Sequence, residues 1–130
     1  MIRLISGLVL MLACAVALAQ QNVLLIEQQV DAYNSNDADK YASYFHDDIE
    51  VYNYPDTPIT AGKGALIETT RKTFADHSPS SRIVKVIDLN DKVITLERAS
   101  FKVKDTRQEL DVIKIYQFQG GLIRRMTFMN

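Results

Sequence analysis

Two kinds of hydrophobic pattern divide the chain near Arg82. In most of the sequence before that point, apolar residues recur every three or four positions, as they do along one face of an amphipathic helix. After it, apolar and polar residues alternate, and β-branched and aromatic residues become frequent, which is typical of strands. Helices first and a long run of strands second predict an α+β domain with segregated layers.

Three helices are predicted, over residues 23–35, 37–45 and from Gly62 to about residue 76. Asn36 is the expected N-cap of the second helix, because a short polar side chain can bind the free N–H groups of a first turn. The apolar faces expected to point inward are Val23, Ile26, Val30 and Tyr33, then Ala38, Tyr41, Ala42 and Phe45, then Leu66, Ile67, Thr70 and Phe74.

One strand is predicted between the second and third helices, over residues 49–54, and Pro55 is expected to end it. Four longer strands follow, over residues 82–89, 92–104, 108–119 and 122–129. The turn-forming pairs Asn90-Asp91, Asp105-Thr106 and Gly120-Gly121 separate them and favour hairpins. The pattern therefore predicts an antiparallel meander.

The first 19 residues have the organisation of a secretory signal peptide. Arg3 precedes an apolar run, and Ala17-Leu18-Ala19 provides small residues for a signal peptidase. We expect cleavage after Ala19, which leaves one domain over residues 20–130 in the periplasm or outside the cell. A lipoprotein anchored through Cys14 is the weaker alternative. The apolar run is shorter than the about 20 residues that span a bilayer, so we expect no stable membrane insertion after cleavage.

Composition and charge exclude several classes of function. Cleavage removes one positive charge and no acid, which takes the formal net charge from −1 to −2, and no large basic cluster remains for nucleic acid. It also removes the only cysteine, so neither a disulfide nor a thiol nucleophile is expected. His46 and His77 lie in turns after helices, and no set of His, Asp and Glu residues has the spacing of metal ligands, so we expect neither a metal nor a cofactor.

Four short motifs occur in a characteristic order: Ala32-Tyr33-Asn34 with Asp37, Phe45-His46-Asp47-Asp48, residues 62–67, and residues 116–124. Their order and spacing resemble the SnoaL-like branch of the nuclear transport factor two-like fold. This resemblance implies a cone-shaped, curved antiparallel sheet packed against three N-terminal helices, with a small-molecule pocket inside. It also implies a homodimer formed through the sheet face, where Tyr52 and Tyr54 would contribute.

The residues that perform catalysis in this fold are largely replaced. By comparison with ketosteroid isomerases, the basic aspartate falls at Asn53, and the two groups that hold the oxyanion fall at Gln29 and Lys114. An asparagine cannot abstract a proton. By comparison with the epoxide hydrolases of this fold, Asn53 and Arg98 match the asparagine and the arginine, but both carboxylates are missing. The catalytic group is therefore unknown, with Asn53, Lys114 and Arg98 as candidates.

The pocket predicted from this resemblance and from strand alternation is lined by Gln29, Tyr33, Phe45, Val51, Asn53, Phe74, Val112, Lys114 and Tyr116. Lys114 has several possible roles, as a base, a Schiff-base amine or an anion clamp, since burial lowers the pKa of a lysine. Alternatively, its ammonium group lies at the rim or pairs with Glu97 or Glu109.

Three functions follow from these predictions. The first is the binding of a small, largely apolar organic molecule. The second is an isomerase, cyclase or hydratase that uses a non-standard polar set of Asn53, Lys114, Arg98 and Gln29. The third is a protein-interaction domain whose cone is filled by its own side chains. The fold alone does not choose among them, because this architecture hosts unrelated functions.

Overall fold

The structure is a computed structural model that describes residues 21–130. The predicted signal peptide and Cys14 lie outside these residues. Helix α1 covers residues 21–34 of the described chain, α2 covers Ala38–Ala42 and α3 covers Lys63–His77. The strands are β1 (Phe45–Asn53), β2 (Thr57–Ala61), β3 (Ser80–Asp88), β4 (Lys92–Val103), β5 (Thr106–Gln119) and β6 (Leu122–Met129). Among the described helices, none is long and apolar enough to cross a bilayer.

The six strands form one curved sheet in the order β2-β1-β6-β5-β4-β3. The α+β class and the curved sheet packed against helices are confirmed. One neighbouring pair departs from the expected antiparallel pattern, because β1 and β6 run parallel, with Val51 beside Met126. A parallel pair needs a long connection between its strands, and here α3 and four other strands provide it. The sheet is therefore mixed.

The first strand region differs from the sequence prediction in two ways. Phe45 was assigned to the second helix, but it begins β1, where it is fully buried. In addition, β2 was not predicted, because Pro55 and Pro58 favour termination of a strand. Pro58 is nevertheless part of β2 and lies opposite Tyr52. It is tolerated there because β2 is an edge strand, where one side of the backbone has no neighbour to bind.

The N-cap of α2 is one residue later than predicted. The side chain of Asp37 accepts the backbone N–H of Lys40 at 3.0 Å. Asn36 has a φ of 58°, the left-handed conformation that asparagine tolerates in turns. Asn36 therefore forms the turn between α1 and α2, and Asp37 is the residue that caps α2.

The core lies between the helices and the inner face of the sheet. Its fully buried side chains include Ile26 of α1, Phe45 and Ile49 of β1, Tyr116 of β5 and Ile123 of β6. A row of aromatic rings crosses the layers, with Tyr41 4.8 Å from Phe45 and 5.3 Å from Tyr33 between ring centroids. The row continues from Tyr33 to Phe74, whose ring centroid is 5.1 Å away, and Tyr33 also lines a cavity inside the fold.

Removal of the α2 cap provides a test of this local structure. We expect Asp37→Ala to lower the free energy of unfolding by about 1 kcal/mol, because the Lys40 N–H loses its side-chain acceptor. Asp37→Asn should retain most of the stability, since its side-chain oxygen can still accept this bond. Urea denaturation measures both, and equal losses in the two variants would contradict the capping role.

Candidate functional site

The candidate site is a cavity of about 310 Å³ between the C-terminal part of α3 and the inner face of β4 and β5. Most of its wall consists of apolar groups. It is lined by Tyr33, Thr73, His77, Pro79, Ser80, Ser81, Ala99, Ser100, Phe101, Val103, Val112, Lys114 and Phe128. This combination of an apolar wall and a few polar groups is typical of small-molecule sites.

A second cavity of about 190 Å³ lies beside the first, toward β2. It is lined by Tyr41, Val51, Ile59, Leu66 and Met126 among others. The two cavities share Tyr33, Thr73 and Phe128 as lining residues. These three side chains form a common wall inside the cone.

Lys114 brings a positive charge to the main cavity. Its side chain is 15% exposed, and its Nζ lies 3.1 Å from Oε1 of Glu97. The same Nζ lies 5.4 Å from the ring centroid of Phe128 and 6.0 Å from that of Tyr33. An ammonium group over aromatic faces is attracted by their quadrupoles. Lys114 therefore contacts both a buried carboxylate and the aromatic wall of the cavity.

Glu97 is the buried partner of Lys114, and its side chain is fully inaccessible to solvent. Its Oε1 accepts a 2.8 Å hydrogen bond from the hydroxyl of Ser81 in addition to the lysine bond. Its Oε2 accepts bonds from the hydroxyls of Thr95 at 2.5 Å and Tyr116 at 2.8 Å. Each carboxylate oxygen therefore has two donors, as a buried charge requires.

Helix α1 completes this network from the other layer. Nε2 of Gln29 donates a 3.2 Å hydrogen bond to the hydroxyl oxygen of Tyr116, and Gln29 is 2% exposed. Tyr116 thus accepts from the helix and donates to Glu97. Among the residues that the structure describes, no buried side-chain nitrogen or oxygen lacks a partner.

Strand alternation explains why these side chains meet. Thr95 and Glu97 lie two residues apart on β4 and therefore face the same side of the sheet. Lys114 and Tyr116 do the same on β5, and the register places Thr95 directly opposite Lys114. Glu97 is then the diagonal neighbour of Lys114, which is within reach of a long side chain.

The electrostatics of the network keep Glu97 ionised. Burial raises the pKa of its carboxyl group, but the Lys114 charge and the three hydroxyl donors outweigh this effect and hold the pKa below its ordinary value. Burial, followed by the negative charge of Glu97, raises the pKa of Tyr33 to about 12. The same two causes raise the pKa of Tyr116 well above its usual range. Both tyrosines therefore remain neutral hydrogen-bonding groups.

This arrangement is suited to binding and orientation. Glu97 is ionised and both of its oxygens are occupied, so it is a poor proton donor and a weak base. The ammonium of Lys114 can offer a hydrogen bond to a molecule in the cavity. A histidine, His77, also lines the cavity. It is exposed at the end of α3, and its Nδ1 lies 2.9 Å from the carbonyl oxygen of Lys102. Among residues 21–130, no cluster of three metal-ligating side chains occurs.

The structure separates the predicted pocket residues into groups. Tyr33, Val112 and Lys114 line the main cavity, and Val51 lines the smaller one. Gln29 and Tyr116 lie beneath the cavity in the Glu97 network, Phe45 is part of the core, and Phe74 packs edge-on against Tyr33 at 5.1 Å.

Two candidate catalytic residues lie elsewhere. Asn53 is exposed at the end of β1, beside the edge strand. Arg98 is on the outer side of β4, where its Nε donates a 2.9 Å hydrogen bond to Asp111. Neither residue is among the lining residues of the two cavities. Lys114 is the catalytic candidate that reaches the main cavity.

The sequence analysis considered Glu97 only as a partner of Lys114 and missed its central position. The signal was nevertheless present, because Glu97 has the same strand parity as Val93 and Thr95, both fully buried. An acid on the apolar face of a strand requires a buried partner. The next inward positions, Ala99 and Phe101, belong to the cavity wall.

Comparison with known proteins gives a family and a fold. The model of the SnoaL-like domain family matches residues 26–126. No curated protein sequence matches the chain.

Several solved structures have the same fold. A structure of an uncharacterised cystatin-fold protein from Novosphingobium aromaticivorans is 24% identical, with a TM-score of 0.77 over 84% of this chain and 97% of that one. An LEH-like epoxide hydrolase of M. tuberculosis is 15% identical, with a TM-score of 0.76 over 85% and 82%. A computationally designed 17-OHP binder is 14% identical, with a TM-score of 0.72 over 83% and 88%.

The lowered pKa of Glu97 predicts that protonation of this residue contributes to the loss of folding stability at low pH. The pKa of Glu97 in the folded protein lies below its ordinary value of 4.5. The ionised carboxylate therefore contributes its full stabilisation above about pH 4.5, and this stabilisation is lost as the pH falls through the folded-state pKa. Glu97→Gln removes this titration. Urea denaturation as a function of pH should therefore show a smaller loss of stability on acidification in Glu97→Gln than in the wild type. Parallel curves for the two proteins would contradict the prediction.

Proposed function

The chain belongs to the SnoaL-like domain family, and from this basis we propose that it binds a small, largely apolar organic molecule in the main cavity. The observation that carries the proposal is the combination of an apolar wall and the ammonium of Lys114 at the same cavity. Its volume of about 310 Å³ lies at the lower end of the range for ligand pockets, about 300–1,000 Å³. The ligand is accordingly small.

Each part of the cavity has a distinct role in this proposal. Val112, Phe101 and Phe128 supply the apolar contact area that gives most of the affinity. Lys114 supplies a hydrogen bond that fixes the orientation of the ligand, and its partner Glu97 holds the ammonium group in place. The designed 17-OHP binder supports the proposal at the level of the fold, since it is a binding protein of the same architecture.

Binding is favoured over an isomerase, cyclase or hydratase activity because neither of the two charged groups at the cavity, Glu97 and Lys114, is free to act as a base, and the histidine of its wall, His77, is exposed at the end of α3. Glu97 has a lowered pKa and no free oxygen, and Lys114 is engaged with it. Asn53 and Arg98 are outside the cavity. The cavity itself also argues against a purely structural cone filled by its own side chains.

The proposal includes export of the protein to the periplasm or the medium. Its support is the sequence of residues 1–19, which has the three parts of a signal peptide. We expect the exported protein to begin at Gln20, as measured by intact mass and N-terminal sequencing. A lipid-modified Cys14 at the N-terminus would contradict this prediction.

We also propose that the protein is a homodimer that uses the outer face of the sheet. On this face, Ile94 lies opposite Ile115 and Leu96 lies opposite Ile113, and all four are only half-buried. The ion pair of Arg98 and Asp111 adjoins them and supplies both signs of charge. A two-fold symmetric contact needs a self-complementary surface, and an apolar patch beside charges of both signs supports the proposal.

Filling the cavity tests the binding proposal. Ala99→Trp places a large side chain in the cavity wall and should abolish the binding of naphthalene, a neutral apolar probe, while the far-UV circular dichroism is retained. Ala75→Trp, on the exposed side of α3, is the matched control and should bind as the wild type does. Fluorescence titration measures the affinity. Equal affinity in Ala99→Trp and the control would contradict binding in this cavity.

A charge on the outer face tests the dimer. Ile115→Arg should convert a dimer into a monomer, because a charge in an apolar interface is costly to desolvate. Leu24→Arg, a change of the same type on the exposed side of α1, should leave the mass unchanged. Light scattering after size exclusion measures both, and a monomeric wild type would contradict the proposal.

A further inference from the structure

We infer that Glu97 makes the cavity selective for electrically neutral ligands that carry a hydrogen-bond acceptor, and that acids are excluded. This inference rests on the proposed function, since it specifies the ligand class of the same cavity. A lysine in an apolar cavity usually suggests an anionic ligand. Here the charge of Lys114 is already compensated by a carboxylate 3.1 Å away.

The first step of the argument is the charge balance of the site. Lys114 and Glu97 together carry no net charge, and their side chains are 15% and 0% exposed. A ligand carboxylate that bound Lys114 would place two carboxylates around one ammonium, within a few ångströms of each other. Like charges at that distance in a water-poor site repel strongly. The carboxylate would therefore lose its hydration without gaining a free counter-ion.

The second step concerns other positive charges. Among the described lining residues of the cavity, Lys114 is the one lysine or arginine, and the histidine of the lining, His77, is exposed to solvent at the end of α3. Arg107 donates to the hydroxyls of Ser80 and Ser100, which belong to the lining, but its guanidinium is exposed and is not itself part of the wall. A screened surface charge is a weak counter-ion for a buried acid.

The third step identifies what Lys114 can bind. An ammonium group has three N–H donors, and the contact with Glu97 occupies one of them. The carbonyl, ether or hydroxyl oxygen of a neutral ligand can accept another. Such a bond is charge-assisted and adds no net charge to the site. The rings of Phe128 and Tyr33, beside the ammonium, offer contact area to an apolar body.

A cationic ligand is disfavoured by the same network. It would meet the ammonium of Lys114 in the cavity. It would also find both oxygens of Glu97 occupied, by Ser81 and Lys114 on one side and by Thr95 and Tyr116 on the other. Electrically neutral molecules are therefore the ligands that the cavity favours.

Matched probes test this selectivity in the wild-type protein. 2-Acetylnaphthalene, 2-naphthamide and 2-naphthoate have the same bicyclic body and nearly the same shape, and only the last is charged at neutral pH. We expect the ketone and the amide to bind at least about tenfold more tightly than the acid, which corresponds to about 1.4 kcal/mol. Fluorescence titration or calorimetry measures all three.

Removal of the Glu97 charge should reverse the discrimination. In Glu97→Gln the side-chain oxygen can still accept from Lys114 and Ser81, and the hydroxyl of Thr95 can rotate to accept from the new amide. Lys114 then has no counter-ion, so 2-naphthoate should gain at least about tenfold in affinity. The double variant Glu97→Gln/Lys114→Met should lose this gain. Asp111→Asn, which removes an acid on the outer face, should leave the preference of the wild type unchanged.

The outcomes are distinguishable. Equal or tighter binding of 2-naphthoate by the wild type would overturn the inference without the need for any variant. A folded Glu97→Gln variant that gains no affinity for the acid would overturn the role of Glu97. If no probe binds and Ala99→Trp behaves as the wild type, the proposed function itself fails, and the inference fails with it.

Discussion

The buried ion pair of Glu97 and Lys114 is the interaction on which much of this structure depends. Taking a carboxylate out of water costs several kcal/mol even after relaxation, and only a complete set of partners offsets that cost. The partners come from different elements: Ser81 from β3, Thr95 from β4, and Lys114 and Tyr116 from β5. The three strands on that side of the sheet must therefore keep one register for the charge to be tolerated.

The network also connects the two layers of the fold. Tyr116 donates to Glu97 and accepts from Gln29, so a continuous chain of hydrogen bonds runs from α1 to the sheet. Hydrophobic contacts in the core tolerate small shifts between layers, whereas hydrogen bonds are sensitive to distance and angle. Lys114 is held between this network and the rings of the wall. The position of its ammonium group is consequently determined by the fold as a whole.

Periodicity was sufficient to predict the general architecture, and the failures occur where a tertiary neighbour decides the structure. The ends of β6 were predicted correctly, because Gly120-Gly121 marks the preceding turn. In contrast, β2 depends on its position at the edge of the sheet, which local pattern does not reveal. The same limit applies to the candidate site. Strand alternation correctly placed Val112 and Lys114 on the inner face. Asn53 and Arg98 were instead assigned to the site by comparison with distant relatives, and both lie outside the cavities.

Pro58 in the edge strand β2 has a consequence for the solution behaviour of the protein. The outer edge of a sheet is a template on which a strand of another molecule can add, and this is a common route to aggregation. A proline has no N–H group to contribute to such a ladder, and Pro58 is the second residue of a strand that is only five residues long. With Pro55 just before the strand, this edge is protected against growth of the sheet into a fibril.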